Sequence, residues 1–223
     1  MEGANLSEDR TVSLVWPRAG KLRVGHCTYL PPRLLAMIHR IGFDGSDGMR
    51  IKHLSGLTPT IVQGVISGVS NAGFGYLPVM HPDLLSYVLY NEPVVVCMPA
   101  GHILAIKSSI RPQDLKDESV ITVARQLLPW MHKELEEFFA GFGITLQIEA
   151  DAFAPPEAVA MTEHRIGVCL VGASAVSRCG VVGRPLVPQA LSWKSGLFVR
   201  KENHHPRLQA FVDIVLNDFK NLR

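Results

Sequence analysis

From residue 22 onward, short apolar runs alternate with stretches whose apolar positions recur every three or four residues, as strands interleaved with amphipathic helices do. Leu22 to Cys27 reads as a strand. Thr28 to Pro32 then turns into a helix with Leu34, Leu35, Ile38 and Ile41 on one face, closed by Gly42 as a left-handed cap. A second strand is expected over Met49 to Leu54. The next helix is expected to take Thr58 as its N-cap and Pro59 as its first helical residue, and to bury Ile61, Val62, Val65, Ile66 and Val69. Ala72 to Leu77 supplies a third strand. This β-α-β-α-β order predicts a mostly parallel sheet with right-handed crossovers.

The pattern changes at residue 84. Leu84 to Tyr90 and Glu92 to Met98 read as two strands separated by Asn91. A second β-α-β-α-β set follows. It comprises a strand over Ser119 to Val123, a helix over Trp130 to Phe142, a strand over Leu146 to Ala150, a helix from Pro156 and a strand over Val168 to Val171. Met131, Leu135, Phe138, Phe139 and Phe142 form the stripe of the first of these helices. Pro156 and Glu157 suit the start of the second, where the helix dipole favours an acid. Strands over Val182 to Val187 and Leu191 to Arg200 lead back, and a helix over Pro206 to Phe219 closes the chain. The expected fold is α/β: two Rossmann-like lobes joined by two crossover strands near residues 92 and 194. Residues 1–20 are an N-terminal arm, 21–92 with 194–223 make lobe I, and 93–193 make lobe II. Such proteins hold small molecules in the cleft between their lobes.

Composition narrows the function classes. The chain has 223 residues, 47% of them hydrophobic, enough for one large core or two small ones. No apolar run reaches the roughly 18–20 residues that span a bilayer, and the acidic N-terminus is unlike a signal peptide, so a cytoplasmic protein is expected. A formal net charge of +2 argues for neither nucleic acid nor membrane. Cys27, Cys97, Cys169 and Cys179 read as reduced thiols, with a Cys169–Cys179 redox pair as the alternative. No CxxC or other metal-ligand spacing is present, and the adjacent His204 and His205 point in different directions, so neither metal nor cofactor is expected. GxSxG, P-loop and HExxH motifs are missing, and Cys27 beside His26 faces the opposite side of a strand. The chain reads as a binder and not an enzyme; an enzyme or a solute-binding protein on the same bilobal plan is the alternative.

Several strings carry a resemblance. They are Gly20-Lys21-Leu22-Arg23-Val24-Gly25, Gln63-Gly64-Val65-Ile66-Ser67-Gly68, Asn91-Glu92-Pro93-Val94-Val95-Val96 with Pro99 to Ala105, and Gln113-Asp114-Leu115. Arg184-Pro185-Leu186 and Pro206 to Phe211 follow in the same order. From about residue 20 to 219 the chain resembles the effector-binding domain of LysR-type transcriptional regulators. The resemblance implies a periplasmic-binding-protein-like fold (type 2) and a small effector in the cleft, a carboxylate or an aromatic acid. It places effector contacts at Thr28, Tyr29 and Leu30, at Leu57 and Thr58, at Ala124, Arg125 and Gln126, and at Phe153 and Ala154. It also implies an antiparallel homodimer that pairs Pro32–Ile41 and Met49–Leu54 with Trp130–Phe142 and Leu146–Ala150 of the partner. The family's winged helix-turn-helix has no counterpart in residues 1–19, which implies no direct DNA binding by this chain alone, whether it is stand-alone or excised.

The residues themselves leave alternatives open. Thr58 suits a carboxylate at a helix start, and equally an ordinary cap. Thr28 follows the first strand, where open α/β sheets form ligand crevices. Arg125 can grip a carboxylate through two parallel hydrogen bonds, or stay a solvated loop residue. Tyr29, Leu30 and Phe153 are wall or packing residues. Three places depart from the family pattern: Asn71 in place of Asp, the string His164-Arg165-Ile166-Gly167 in place of small residues, and Gly172 in place of Pro.

Overall fold

A computed structural model describes residues 21–43, 50–177 and 179–221. The expected arm, 1–20, and Met49 at the expected start of the second strand lie outside them. The elements are β1 (Leu22–Cys27), α1 (Pro32–Phe43), β2 (Ile51–Gly56), α2 (Thr58–Ile66), β3 (Ala72–Leu77), β4 (Leu84–Pro99), β5 (Ser119–Val123), α3 (Pro129–Ala140), β6 (Gln147–Ala152), α4 (Pro155–Glu163), β7 (Val168–Gly172), β8 (Val181–Pro185), β9 (Ser192–Arg200) and α5 (Leu208–Asn221). Among the described residues the strands make a nine-stranded mixed sheet, ordered β2-β1-β3-β9-β4-β7-β5-β6, with β8 beside β4.

Each half keeps the parallel core that its pattern predicts. β1 lies between β2 and β3, parallel to both, and β5 lies between β6 and β7, parallel to both. The antiparallel strands join the halves. β9 pairs with β3 and with the first part of β4, up to Pro93↔Ser192. From Val94↔Gly172 onward β4 pairs instead with β7, and from Val95 also with β8.

The two runs expected on either side of Asn91 are thus one strand. Burial alternates straight through the supposed break: Asn91 and Pro93 face solvent and Glu92 is buried. The Glu92 carboxylate accepts a hydrogen bond from the Ser174 N–H at 3.0 Å, which satisfies a polar group the apolar pattern did not anticipate. It also explains Gly172. A Cβ at Gly172 would stand 2.3 Å from a Glu92 carboxylate oxygen, so any side chain there collides with the buried acid. Asn71 has a structural use too, its Oδ1 accepting the Arg23 N–H at 2.9 Å to tie β1 to the turn before β3.

Element ends differ in smaller ways. α1 runs through Gly42 to Phe43, so Gly42 is not its cap. α2 has Leu57 in the N-cap position, Thr58 first and Pro59 second, while Val69 lies beyond it and is exposed. α3 ends at Ala140, leaving Phe142 outside; β6 begins at Gln147, β8 ends at Pro185, and α5 begins at Leu208. Cys97 faces Cys169 across β4 and β7, both fully buried, whereas Cys179 is exposed; the facing thiols are not the Cys169–Cys179 pair.

Candidate functional site

The strand order brings the carboxyl ends of β1, β3 and β5, and the loops that follow β2 and β6, to one crevice between the halves. Loops at that edge of an α/β sheet are the usual place for a ligand. Cys27 ends β1 and Val123 ends β5, and both are buried at the crevice floor. Leu57, Thr58 and Pro59 reach it from the start of α2, Leu127 and Leu128 from the turn before α3, and Phe153 and Pro155 from the start of α4.

The wall of the first half is locked by hydrogen bonds. The Thr58 hydroxyl accepts the Tyr76 N–H at 3.2 Å, and the Tyr76 hydroxyl donates to the Tyr29 carbonyl at 2.8 Å. This brings α2, β3 and the β1–α1 loop to one point. Gly75 makes the approach possible: a Cβ there would stand 2.9 Å from the Thr58 methyl carbon. Burial, helped by the Glu92 charge, pushes the Tyr76 phenol well above the usual tyrosine range, so it stays neutral. Thr28 is fastened at the loop base, its N–H and hydroxyl both directed at the Gly56 carbonyl, 3.1 and 3.3 Å away.

The wall of the second half is looser. Phe153 is 61% exposed, and its N–H donates to the Glu157 carboxylate at 2.6 Å. The buried His132 of α3 binds the Val123 carbonyl through Nε2; since a carbonyl only accepts, that nitrogen carries the proton. Arg125 does not line the crevice; its guanidinium, 55% exposed, pairs with Glu136 on α3.

Of the residues singled out in the sequence, the crevice brings together Tyr29, Leu57, Thr58 and Phe153. Thr28, Arg125 and Gln126 are exposed beside it, and Leu30, Ala124 and Ala154 are buried in the supporting structure. Cys27, Tyr76, Val123, Leu127 and Leu128 were not anticipated as lining residues. A polar-tipped aromatic next to the end of the glycine-rich β3 was the available signal for Tyr76.

The crevice holds about 20 Å³ of free space, room for about one water. Two larger hollows lie elsewhere. One of about 610 Å³ lies against β4, β9 and α3, and one of about 330 Å³ lies at the amino ends of β5 and β7. The first borders the carboxyl end of β3 through Leu77 and Pro78 but is not reached by β1 or β5; the second lies at the opposite edge. Among the described residues no group of three or more His, Cys, Asp or Glu is arranged to hold a metal, and no helix is long and apolar enough to cross a membrane.

Comparison with known proteins agrees with this architecture. The family model described as LysR substrate binding domain matches residues 17–220. The HTH-type transcriptional regulator AlsR of Bacillus subtilis (strain 168) is 27% identical over 152 residues, covering 67% of this chain and 50% of AlsR. The chain thus spans about half the length of that relative. The effector binding domain of QuiR in complex with shikimate is similar at a TM-score of 0.80, with 17% identity over 92% of this chain and 99% of that one. The BenM effector binding domain with its effector benzoate gives 0.70 and 20% identity, over 90% and 92% of the two chains. Full-length CbnR complexed with its target DNA gives 0.76 and 20% identity, over 90% of this chain and 71% of CbnR.

Proposed function

The chain belongs to the LysR substrate binding domain family, and from that premise we propose that its crevice binds a small effector and that ligation changes the angle between the halves. The observation that carries the reading is the meeting of both halves at the carboxyl edge of their parallel strands. Tyr29, Leu57, Thr58 and Phe153 are the proposed contacts, joined by Tyr76 and Cys27. Thr28, Leu30, Ala124 and Ala154 position the loops that carry them. The lobes are 21–92 with 194–223, and 93–193; the change of β4 partners between Pro93 and Val94 supports that boundary.

A ligand pocket ordinarily has a volume of ~300–1,000 Å³, far above the 20 Å³ found here, so the halves part to admit an effector. Shikimate in QuiR and benzoate in BenM support the expected class, a carboxylate or an aromatic acid. The effector is bound and released unchanged, without catalysis. The chain acts in the cytoplasm as the sensing part of a homodimeric DNA-binding regulator, with no contact to DNA of its own. AlsR and CbnR, a regulator and a DNA-bound protein, support that setting.

A thermal-shift screen of small aromatic and carboxylate metabolites tests the reading. A ligand at a hundred times its Kd stabilises by about 2.7 kcal/mol, which lifts the melting temperature of a domain this size by roughly 5–10 °C. Saturable stabilisation with the compound recovered intact is the expected result. Turnover of a stabilising compound would instead favour an enzyme on the same bilobal plan.

A further inference from the structure

We infer that this chain's crevice selects an uncharged aromatic molecule over the carboxylates its relatives bind, an inference that rests on the effector-site reading above and departs from it in the ligand's charge. Among the described residues its lining contains no arginine, lysine or histidine. Tyr29 and Tyr76 from one half and Phe153 from the other present aromatic rings. The polar groups between them are neutral. Thr58 accepts from the Tyr76 N–H and keeps its own hydroxyl proton free to donate; Tyr76 gives its proton to the Tyr29 carbonyl and keeps lone pairs that accept. One donor and one acceptor beside apolar walls suit a ring bearing an amide, a carbonyl or a hydroxyl.

The charges around the crevice have the wrong sign for an anion. The Glu157 carboxylate stands at its rim, held by the Phe153 N–H, and the buried Glu92 lies close enough behind Tyr76 to act on its phenol. Arg125, the cation beside the β5 wall, is paired with Glu136 and also feels Asp151. Helix starts offer little in compensation. Pro59 removes one N–H from the first turn of α2, and Pro155 with Pro156 removes two from that of α4. A carboxylate entering here gives up its water and meets no described cation, which is a costly exchange; an uncharged ring avoids it.

Isothermal titration of the chain with benzamide and benzoate, alike in shape and different in charge, tests this, with benzyl alcohol as a third probe. At pH 7 benzamide or benzyl alcohol is expected to bind at least about tenfold tighter than benzoate. Arg125→Ala should leave benzamide affinity unchanged. Glu157→Gln, which keeps an acceptor for the Phe153 N–H, should strengthen benzoate roughly threefold and leave benzamide alone. Benzoate binding as tightly as benzamide, with that affinity lost in Arg125→Ala at unchanged melting temperature, overturns the uncharged class and leaves the effector-site reading standing. No saturable binding of any of the three probes at millimolar concentration overturns both.

Discussion

The two walls of the crevice come from matching β-α-β-α-β halves, yet they are built differently. The first is a knot: Thr58, Tyr76 and Tyr29 are linked in series, Thr58 is 7% exposed, and Gly75 admits the close packing. The second is a set of loop starts, with Phe153 largely in solvent and its backbone tied to a surface carboxylate. A preformed wall costs little ordering on binding, and so suits recognition. A loosely held wall adapts, and so suits closure. Similar supersecondary order thus supports unequal duties, and the inequality lies in side chains and glycines.

Gly75→Ala should break the contrast most strongly. The new methyl meets Thr58 and forces the first wall apart, at a cost of about 1–3 kcal/mol by analogy with overpacked cores. Chemical denaturation should show the loss, and whatever ligand the screen identifies should bind weakly.

Acid should act on the first half through a histidine cluster. His26, His39 and His53, from β1, α1 and β2, have ring centroids 5.1 to 6.0 Å apart. Desolvation by burial lowers the pKa of His26 and of His53, with His39 adding repulsion to both. The folded state therefore prefers them neutral. Their contribution is fully present above the unfolded histidine value of about 6.5 and is lost as pH falls from there through the folded values. Melting temperature should drop between pH 7.5 and 5.5, and His53→Gln should make that drop shallower. An equally steep drop in the variant would show that other groups govern it.

Phe153→Ala should have the smallest effect on stability, within ±0.5 kcal/mol or so, because the ring is mostly exposed. Ligand affinity should nonetheless fall. Unchanged affinity would remove Phe153 from the second wall.

Much of the fold was legible because apolar periodicity follows burial, and burial here follows the sheet. β1, β3, β5 and β7 are almost wholly buried and read as apolar runs. β4 misled because Asn91 looks like a break, though on a strand with one wet face it sits where a polar residue belongs. The start of α2 slipped by one position because Pro59 satisfies a first or a second helical site equally well. In the site, Tyr29, Leu57, Thr58 and Phe153 were legible through the family resemblance, which points to loops. Tyr76 and Cys27 were not, because they are strand residues whose line of sight into the crevice depends on how the halves meet. Arg125 shows the converse: its chemistry fits a carboxylate, and only the fold reveals Glu136 beside it.

The continuity of β4 has a mechanical consequence. A backbone running unbroken from Leu84 to Pro99 through both halves cannot fold like a door hinge without giving up ladder bonds. It can wind about its own long axis at modest cost, since strands are twisted already. Its ladder shifts register between Val88 and Tyr90, and at Pro93–Val94 one set of neighbours ends and another begins. If the halves turn on ligation as proposed, a turn about this strand would be torsional, like that of a rod gripped at both ends.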